Sequence, residues 1–150
     1  MSNKNFIVEK DFEYKGLRCV VIFTRMGHRC GYVGIPKLHK LYGKDYDEGF
    51  DEENSIECHF DVHGGITYAG ESEDYPVKTD DKLWWLGFDT AHCGDGKDID
   101  LSLKYGILDE KTYGILKESE NMFGSDSEVK SLEYCIDECK SLAEQLTQTI

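Results

Sequence analysis

Two stretches of this chain set side chains that could do chemistry beside backbone that could admit a ligand. One is Trp84-Trp85-Leu86-Gly87-Phe88-Asp89-Thr90-Ala91-His92-Cys93-Gly94-Asp95; the other is His63-Gly64-Gly65-Ile66-Thr67-Tyr68. A core strand has no need of Gly and hides neither Asp nor His. A binding site uses all of these: aromatic walls, close backbone approach and a few convergent polar groups. His63, Tyr68, Trp85, Asp89, His92 and Asp95 are therefore expected around one concave pocket at the ends of two sheet strands.

Four chemistries can be weighed on these residues. For a metal, His59 and His63 would share one strand face with Asp61 between them, and Asp89 and His92 would end a neighbouring strand. Two imidazoles and a carboxylate with an open position suit Zn or Fe, whose bound water could attack an ester. This gives a rival reading, a metal-dependent hydrolase using His63, Asp89 and His92. No established ligand spacing is matched, so no metal and no other cofactor is assigned. The segment 89–100 has the length and central Gly of a calcium loop, but Ala91 and Cys93 stand where oxygen ligands belong. Cys93 has no evident base partner, since its neighbour His92 would point to the opposite side of a strand. No Gly-x-Ser-x-Gly elbow occurs. No catalytic residue is assigned.

The fourth chemistry is anion and base binding. Arg25, His28, Arg29 and Tyr32 form an anion-contacting set, because Arg grips phosphate bidentately and stacks on rings. Tyr68, Trp84, Trp85 and Phe88 could stack a base, worth roughly 1–3 kcal/mol each. Trp84 and Trp85 point to opposite faces of a strand, so only one of them can join a given pocket.

The blocks Gly31-Tyr32-Val33-Gly34-Ile35-Pro36, His63-Gly64-Gly65-Ile66-Thr67-Tyr68 and Trp84 to Asp95, followed by the helix that carries Cys135, resemble the recurring blocks of small proteins carried by bacteriophages and prophages. The similarity runs from about Gly31 to Leu146. It implies a context and no catalytic residue: small accessory phage proteins counter host defence, some by sequestering nucleotide immune signals.

Composition bounds the partners. Thirty acidic residues against 17 basic give a net charge of −13. Affinity for nucleic acid comes mainly from Lys and Arg on phosphates, so direct nucleic-acid binding is not expected. The acidity keeps the chain soluble, or alternatively lets it block a basic host protein. No apolar run reaches the ~20 residues of a membrane span. The opening Met1-Ser2-Asn3-Lys4-Asn5 is polar and precedes no segment of signal-peptide length, so the expected place is the cytoplasm, that of the host if phage-encoded. Cys19, Cys30, Cys58, Cys93, Cys135 and Cys139 are accordingly read as thiols. Cys135 and Cys139, four apart, suit the core stripe of a helix. A homo-oligomer is compatible with the chain, which leaves the state of assembly open.

The elements that must hold these residues read as one α+β domain over 1–150, an antiparallel sheet of about six strands with a C-terminal amphipathic helix packed on it. Phe6 to Tyr14, Leu17 to Thr24 and Arg29 to Ile35 form a meander joined by Gly-containing turns. The segment 56–63 alternates, with Ile56, Cys58, Phe60 and Val62 on one face, and reads as a strand. The chain bends at Gly64-Gly65 and continues through Tyr68, and 82–88 is the last strong strand. From Leu101 the texture turns helical. Ser125 with Glu128 reads as a capping box, and Val129, Leu132, Ile136, Cys139, Leu142 and Leu146 recur at helical spacing. The function these features suggest is a small-ligand binding module without turnover, with a nucleotide-type ligand.

Overall fold

The computed structural model describes residues 5–46, 56–71, 75–79, 82–91, 95–123 and 128–148. Strands β1 (Phe6–Tyr14), β2 (Leu17–Thr24) and β3 (Arg29–Ile35) form the expected meander. Lys15 and Gly16 make its first turn, with φ of 54° and 79°. Two left-handed residues give the turn whose twist matches the strands, and Tyr14 pairs with Leu17 directly across it. Helix α1 (Ile56–His59), β4 (Tyr68–Glu71) and β5 (Trp84–Asp89) follow. The sheet has five strands in the order β1-β2-β3-β5-β4, and every neighbouring pair is antiparallel. Helices α2 (Ile99–Lys104), α3 (Glu110–Phe123) and α4 (Leu132–Thr147) complete the α+β fold.

The sheet is covered on both sides. Side-chain alternation sends Leu17, Cys19, Val21, Val33, Ile35, Leu86 and Phe88 toward α4, which meets them with Cys135, Cys139, Leu142, Ala143 and Leu146. A Cβ on Gly31 would lie 2.4 Å from the Phe88 ring and 2.7 Å from Cys139 Sγ. Glycine there lets the helix settle onto β3. The opposite face buries Val20, Ile22, Tyr32 and Trp85 beneath Phe6, Cys30, Tyr68, Tyr75, Val77 and Leu83. Trp84 and Trp85 do face opposite ways: Trp84 packs with the helix-side core and Trp85 with the other. His39 closes the end of α4. Its Nδ1 accepts from the Leu41 amide at 3.1 Å, which leaves Nε2–H to donate to the Leu146 carbonyl at 2.8 Å.

Two expectations about the elements are corrected. The segment 56–63 is not a strand, and this accounts for five strands rather than six. Ile56 and Phe60 are four apart, a spacing that strand alternation and a helical turn share. They are buried together in the helix-side core, with Val62 and Ile66 behind them, and the chain takes the helical solution over Ile56–His59. The last helix starts later than Ser125 would set it. Its N-cap is Ser131, whose Oγ accepts from the Tyr134 amide at 3.1 Å. Ser125 lies outside the described residues, and Glu128 forms a short parallel bridge with Asp95, its carbonyl accepting from the Gly96 amide at 2.7 Å. No helix among the described residues is long and apolar enough to cross a membrane.

Candidate functional site

The residues expected around one pocket are divided between the two faces of the sheet. His63 turns toward α4. Its Nδ1 lies 2.8 Å from the Tyr134 hydroxyl and its Nε2 2.8 Å from Asp95 Oδ2, while its backbone N–H donates to Glu138 Oε1 at 2.7 Å. Both ring nitrogens of His63 are thereby engaged. Asp95 is almost wholly enclosed, its side chain 4 % exposed. Burial, and then the carboxylates of Glu138, Asp95 and Glu128 together with Cys135, raise the Tyr134 phenol above its ordinary value. That is opposite to what an activated nucleophile needs.

Asp89 belongs to the other face, where it pairs in register with Cys30. It accepts from Thr67 Oγ1 at 2.9 Å and from the Ala91 amide at 3.0 Å. Among the described residues Asp89 and His63 thus bond to different partners on opposite sides of the sheet, and no single pocket joins them. His92 and Cys93 lie outside the described residues. Among the described residues no three His, Cys, Asp or Glu side chains converge closely enough to hold a metal ion.

Tyr68 and Trp85 share the Asp89 face, in an aromatic layer. Tyr32, Tyr68 and Tyr75 meet edge-on or tilted at 5.2 to 5.7 Å, and the Tyr32 and Tyr75 hydroxyls are hydrogen-bonded. Trp85 lies fully buried beneath them, its Nε1 without a hydrogen-bond partner among the described residues. It is part of the core, not the wall of an open site. Its neighbour Gly87 is where Tyr32 packs: a Cβ there would touch the Tyr32 ring at 2.4 Å.

The four expected anion contacts separate likewise. Arg29 is 8 % exposed and is consumed by Glu9, with Nε and Nη2 donating to its carboxylate at 2.6 and 3.1 Å. Its Nη1 donates to the Lys130 carbonyl at 2.9 Å, and its guanidinium lies over Phe23. Burial lowers the pKa of His28, which is thus neutral near pH 7 and offers no fixed charge to an anion. Tyr32 is buried with its hydroxyl engaged, and its pKa is raised chiefly by that burial. Arg25 alone is open. Its ion pair with Asp109, at 3.1 Å, is exposed on both sides.

Arg25 is one of the residues that line an open groove of about 530 Å³ on the face away from α4, with Phe6, Ile22, Thr24, Met26 and Tyr75. Phe6 and Tyr75 stand edge to face at 5.1 Å. The volume falls within the range of small-ligand sites. A second groove, of about 460 Å³, runs past Asp11, Glu13, Arg18, Thr79 and Leu83. Its arginine is bound at two points by Asp11, at 3.0 and 2.6 Å, so it presents carboxylates more than a free cation. Of the residues singled out in the sequence, only Arg25 lines the first groove. Phe6, Met26 and Tyr75 went unflagged. Tyr75 had a signal, as a lone aromatic beside Pro76 in a polar segment; Phe6 had none beyond its place in an alternating strand.

The described thiols are poor nucleophiles. Burial first, with smaller charge effects, pushes Cys19, Cys30 and Cys135 up to about 12, and Cys139 well above its ordinary value. Comparison of the chain with protein-family models, with curated proteins and with solved structures finds no match.

Proposed function

We propose that this protein is a non-catalytic binding module that holds a small planar anionic ligand of nucleotide type in the groove beside Arg25. The observation that carries the reading is the composition of that groove: two aromatic rings, Phe6 and Tyr75, the apolar Ile22, and one arginine, Arg25, whose ion pair with Asp109 is exposed. Rings take the flat faces of a base, and a guanidinium takes a phosphate. The exposed Asp109 partner is exchanged for a ligand phosphate at small cost, because surface ion pairs contribute little. The buried thiols and the Tyr134 phenol, all with raised pKa, support binding over turnover. In the phage context that the sequence blocks suggest, such a module withdraws a nucleotide immune signal from the host.

Titration calorimetry with a panel of cyclic mono- and dinucleotides tests the reading. At least one should bind, and heat-denaturing the complex should return it chemically intact. Binding by none of the panel, or accumulation of a hydrolysed product, would overturn it.

A further inference from the structure

Helix α3 is attached to the domain through a side that carries Thr112, Tyr113, Leu116, Lys117 and Glu120. Tyr113 and Lys117 both reach Asp100 of α2, at 2.5 and 3.2 Å, and Asp109 caps the helix by accepting from the Thr112 amide at 2.9 Å. The half-buried positions 112, 113, 116, 117 and 120 trace this inward side. The outward side carries Lys111, Gly114, Ile115, Glu118 and Met122, all exposed. Ile115 is 61 % exposed and Met122 70 %, seven residues apart on one stripe. None of the described side chains of α3 is buried. A helix of this length is marginal in water by itself and gains most of its stability by covering an apolar face. Here two large apolar residues of α3, Ile115 and Met122, lie on the face left open.

The rest of that stripe indicates what covers it. Lys111 and Glu118 flank Ile115, about one turn to either side, and neither has an ion-pair partner among the described residues. They are opposite in sign and about 10 Å apart along the helix. An antiparallel copy of the same helix, crossing beside Gly114 and Ile115, sets each Lys111 next to Glu118 of the partner subunit. Gly114 has a matching peculiarity. A Cβ there would meet nothing within 4 Å. Mid-helix Gly costs about 1 kcal/mol relative to Ala, and nothing among the described residues calls for it. A second helix crossing closely at that point does, because it needs the room.

We propose that α3 is a self-association surface, through which two copies of this chain pair with their α3 helices antiparallel about a twofold axis at Gly114 and Ile115. The contact is isologous, so each charge pair occurs twice. The helix is only about 21 Å long. Its face is therefore smaller than the surface of a standard stable dimer, and the association is reversible in the micromolar range or weaker.

Sedimentation of the full chain, run from micromolar protein to about 1 mM, tests the proposal. The wild type should pass from monomer to dimer. I115E with M122E should stay monomeric. K111E alone and E118K alone should each weaken association roughly tenfold, by turning two attractive pairs into two repulsive ones. The double reversal K111E/E118K should restore it to within about threefold. Neither reversal harms the helix, since an acid in the first turn and a base toward the last suit its dipole. Gly114→Leu should raise the melting temperature of the monomer and abolish the dimer. A wild type that remains monomeric at the highest concentration overturns the proposal and leaves α3 to a different partner. Dimers that persist in I115E/M122E, or a double reversal no better than the single ones, overturn it equally.

Discussion

Glu9 leaves the regular ladder of β1 to meet Arg29 two strands away. The β1–β2 register shifts between Val8 and Lys10, so Glu9 is the extra residue of a bulge. The bulge re-aims its carboxylate onto the Arg29 guanidinium at 2.6 Å, with the two side chains only 5 % and 9 % exposed. Tyr105, the C-cap of α2, donates to the same carboxylate at 2.7 Å, and Arg29 reaches the Lys130 carbonyl ahead of α4. One ion pair thus ties an edge strand, a central strand and two helix ends.

Arg29 should accordingly govern stability and leave ligand affinity unchanged. Arg29→Met strands Glu9 in the interior without its cation. Breaking a buried pair on one side costs about 3–5 kcal/mol. The melting temperature should fall by roughly 10 °C, while any nucleotide that binds the wild type should bind the folded variant equally well. Loss of affinity with an unchanged melting temperature would return Arg29 to the site.

Arg25 should behave in the reverse way. Its pair with Asp109 is exposed and contributes little to folding. Arg25→Ala and Tyr75→Ala should each weaken nucleotide binding by about tenfold or more in titration calorimetry, the loss expected of one phosphate contact or one stacked base. Arg25→Ala should leave the urea midpoint nearly unmoved. If both variants bind as the wild type does, the groove is not the site.

The meander, the α+β class and the helix-side role of Cys135 and Cys139 were legible because each rests on a local period. The apolar residues of β2 and the stripe of α4 could only be buried one way. The segment 56–63 was not legible, because Ile56 and Phe60 satisfy a strand and a helical turn equally; tertiary burial decides between them. The site suffered from a different limit. Arg25 and Arg29 look alike in sequence, yet a bulge in β1 consumes one and leaves the other open. His63 and Asp89 have the right chemistry for one pocket, but opposite faces of a sheet separate them, and no spacing in the chain reports which face a loop residue joins. The groove itself is assembled by Phe6, Ile22 and Tyr75 from three distant segments, which no linear motif records.

The buried thiols predict an alkaline limit to stability. Cys19, Cys30 and Cys135 ordinarily titrate near 9 and are held up to about 12 by burial, and Cys139 is held higher than its ordinary value as well. Below about pH 9 folded and unfolded chains both keep these protons, and stability does not depend on them. Above it the unfolded chain releases them and the folded chain does not, so the unfolded state binds fewer protons and stability falls as pH rises toward 12. Under reducing conditions the urea midpoint should be flat between about pH 7 and 8.5 and decline steadily beyond. Native protein at pH 8 should also react slowly with a thiol reagent at Cys135 and Cys139. A flat midpoint to pH 11, or fast native labelling of that pair, would contradict the burial.

His63 is hydrogen-bonded at both ring nitrogens, and variants of its partners separate a clasp from a catalytic base. Tyr134 takes one side at 2.8 Å and Asp95 the other, tying the loop after α1 and the bridge at Asp95 to the first turn of α4. A base acting directly on substrate would have to give up one of these two bonds, and the raised pKa of the Tyr134 phenol speaks against its use as a nucleophile. As a clasp, His63 contributes to folding: His63→Gln and Tyr134→Phe should each cost about 1 kcal/mol, the worth of a typical hydrogen bond. They act on one shared contact, so the double variant should cost less than the sum, with a coupling of at least about 0.5 kcal/mol in a double-mutant cycle. Asp95→Ala should cost more than either, since it leaves the imidazole facing a buried gap. Ligand affinity should be unchanged in all of these variants, because His63, Tyr134 and Asp95 lie on the α4 side of the sheet and the groove on the other. A hydrolase built on His63 predicts the opposite pattern, in which substrate still binds, turnover disappears in His63→Gln and the stability losses add. Calorimetry with intact nucleotide, chromatography of the recovered ligand and urea melts of the four proteins distinguish the two outcomes.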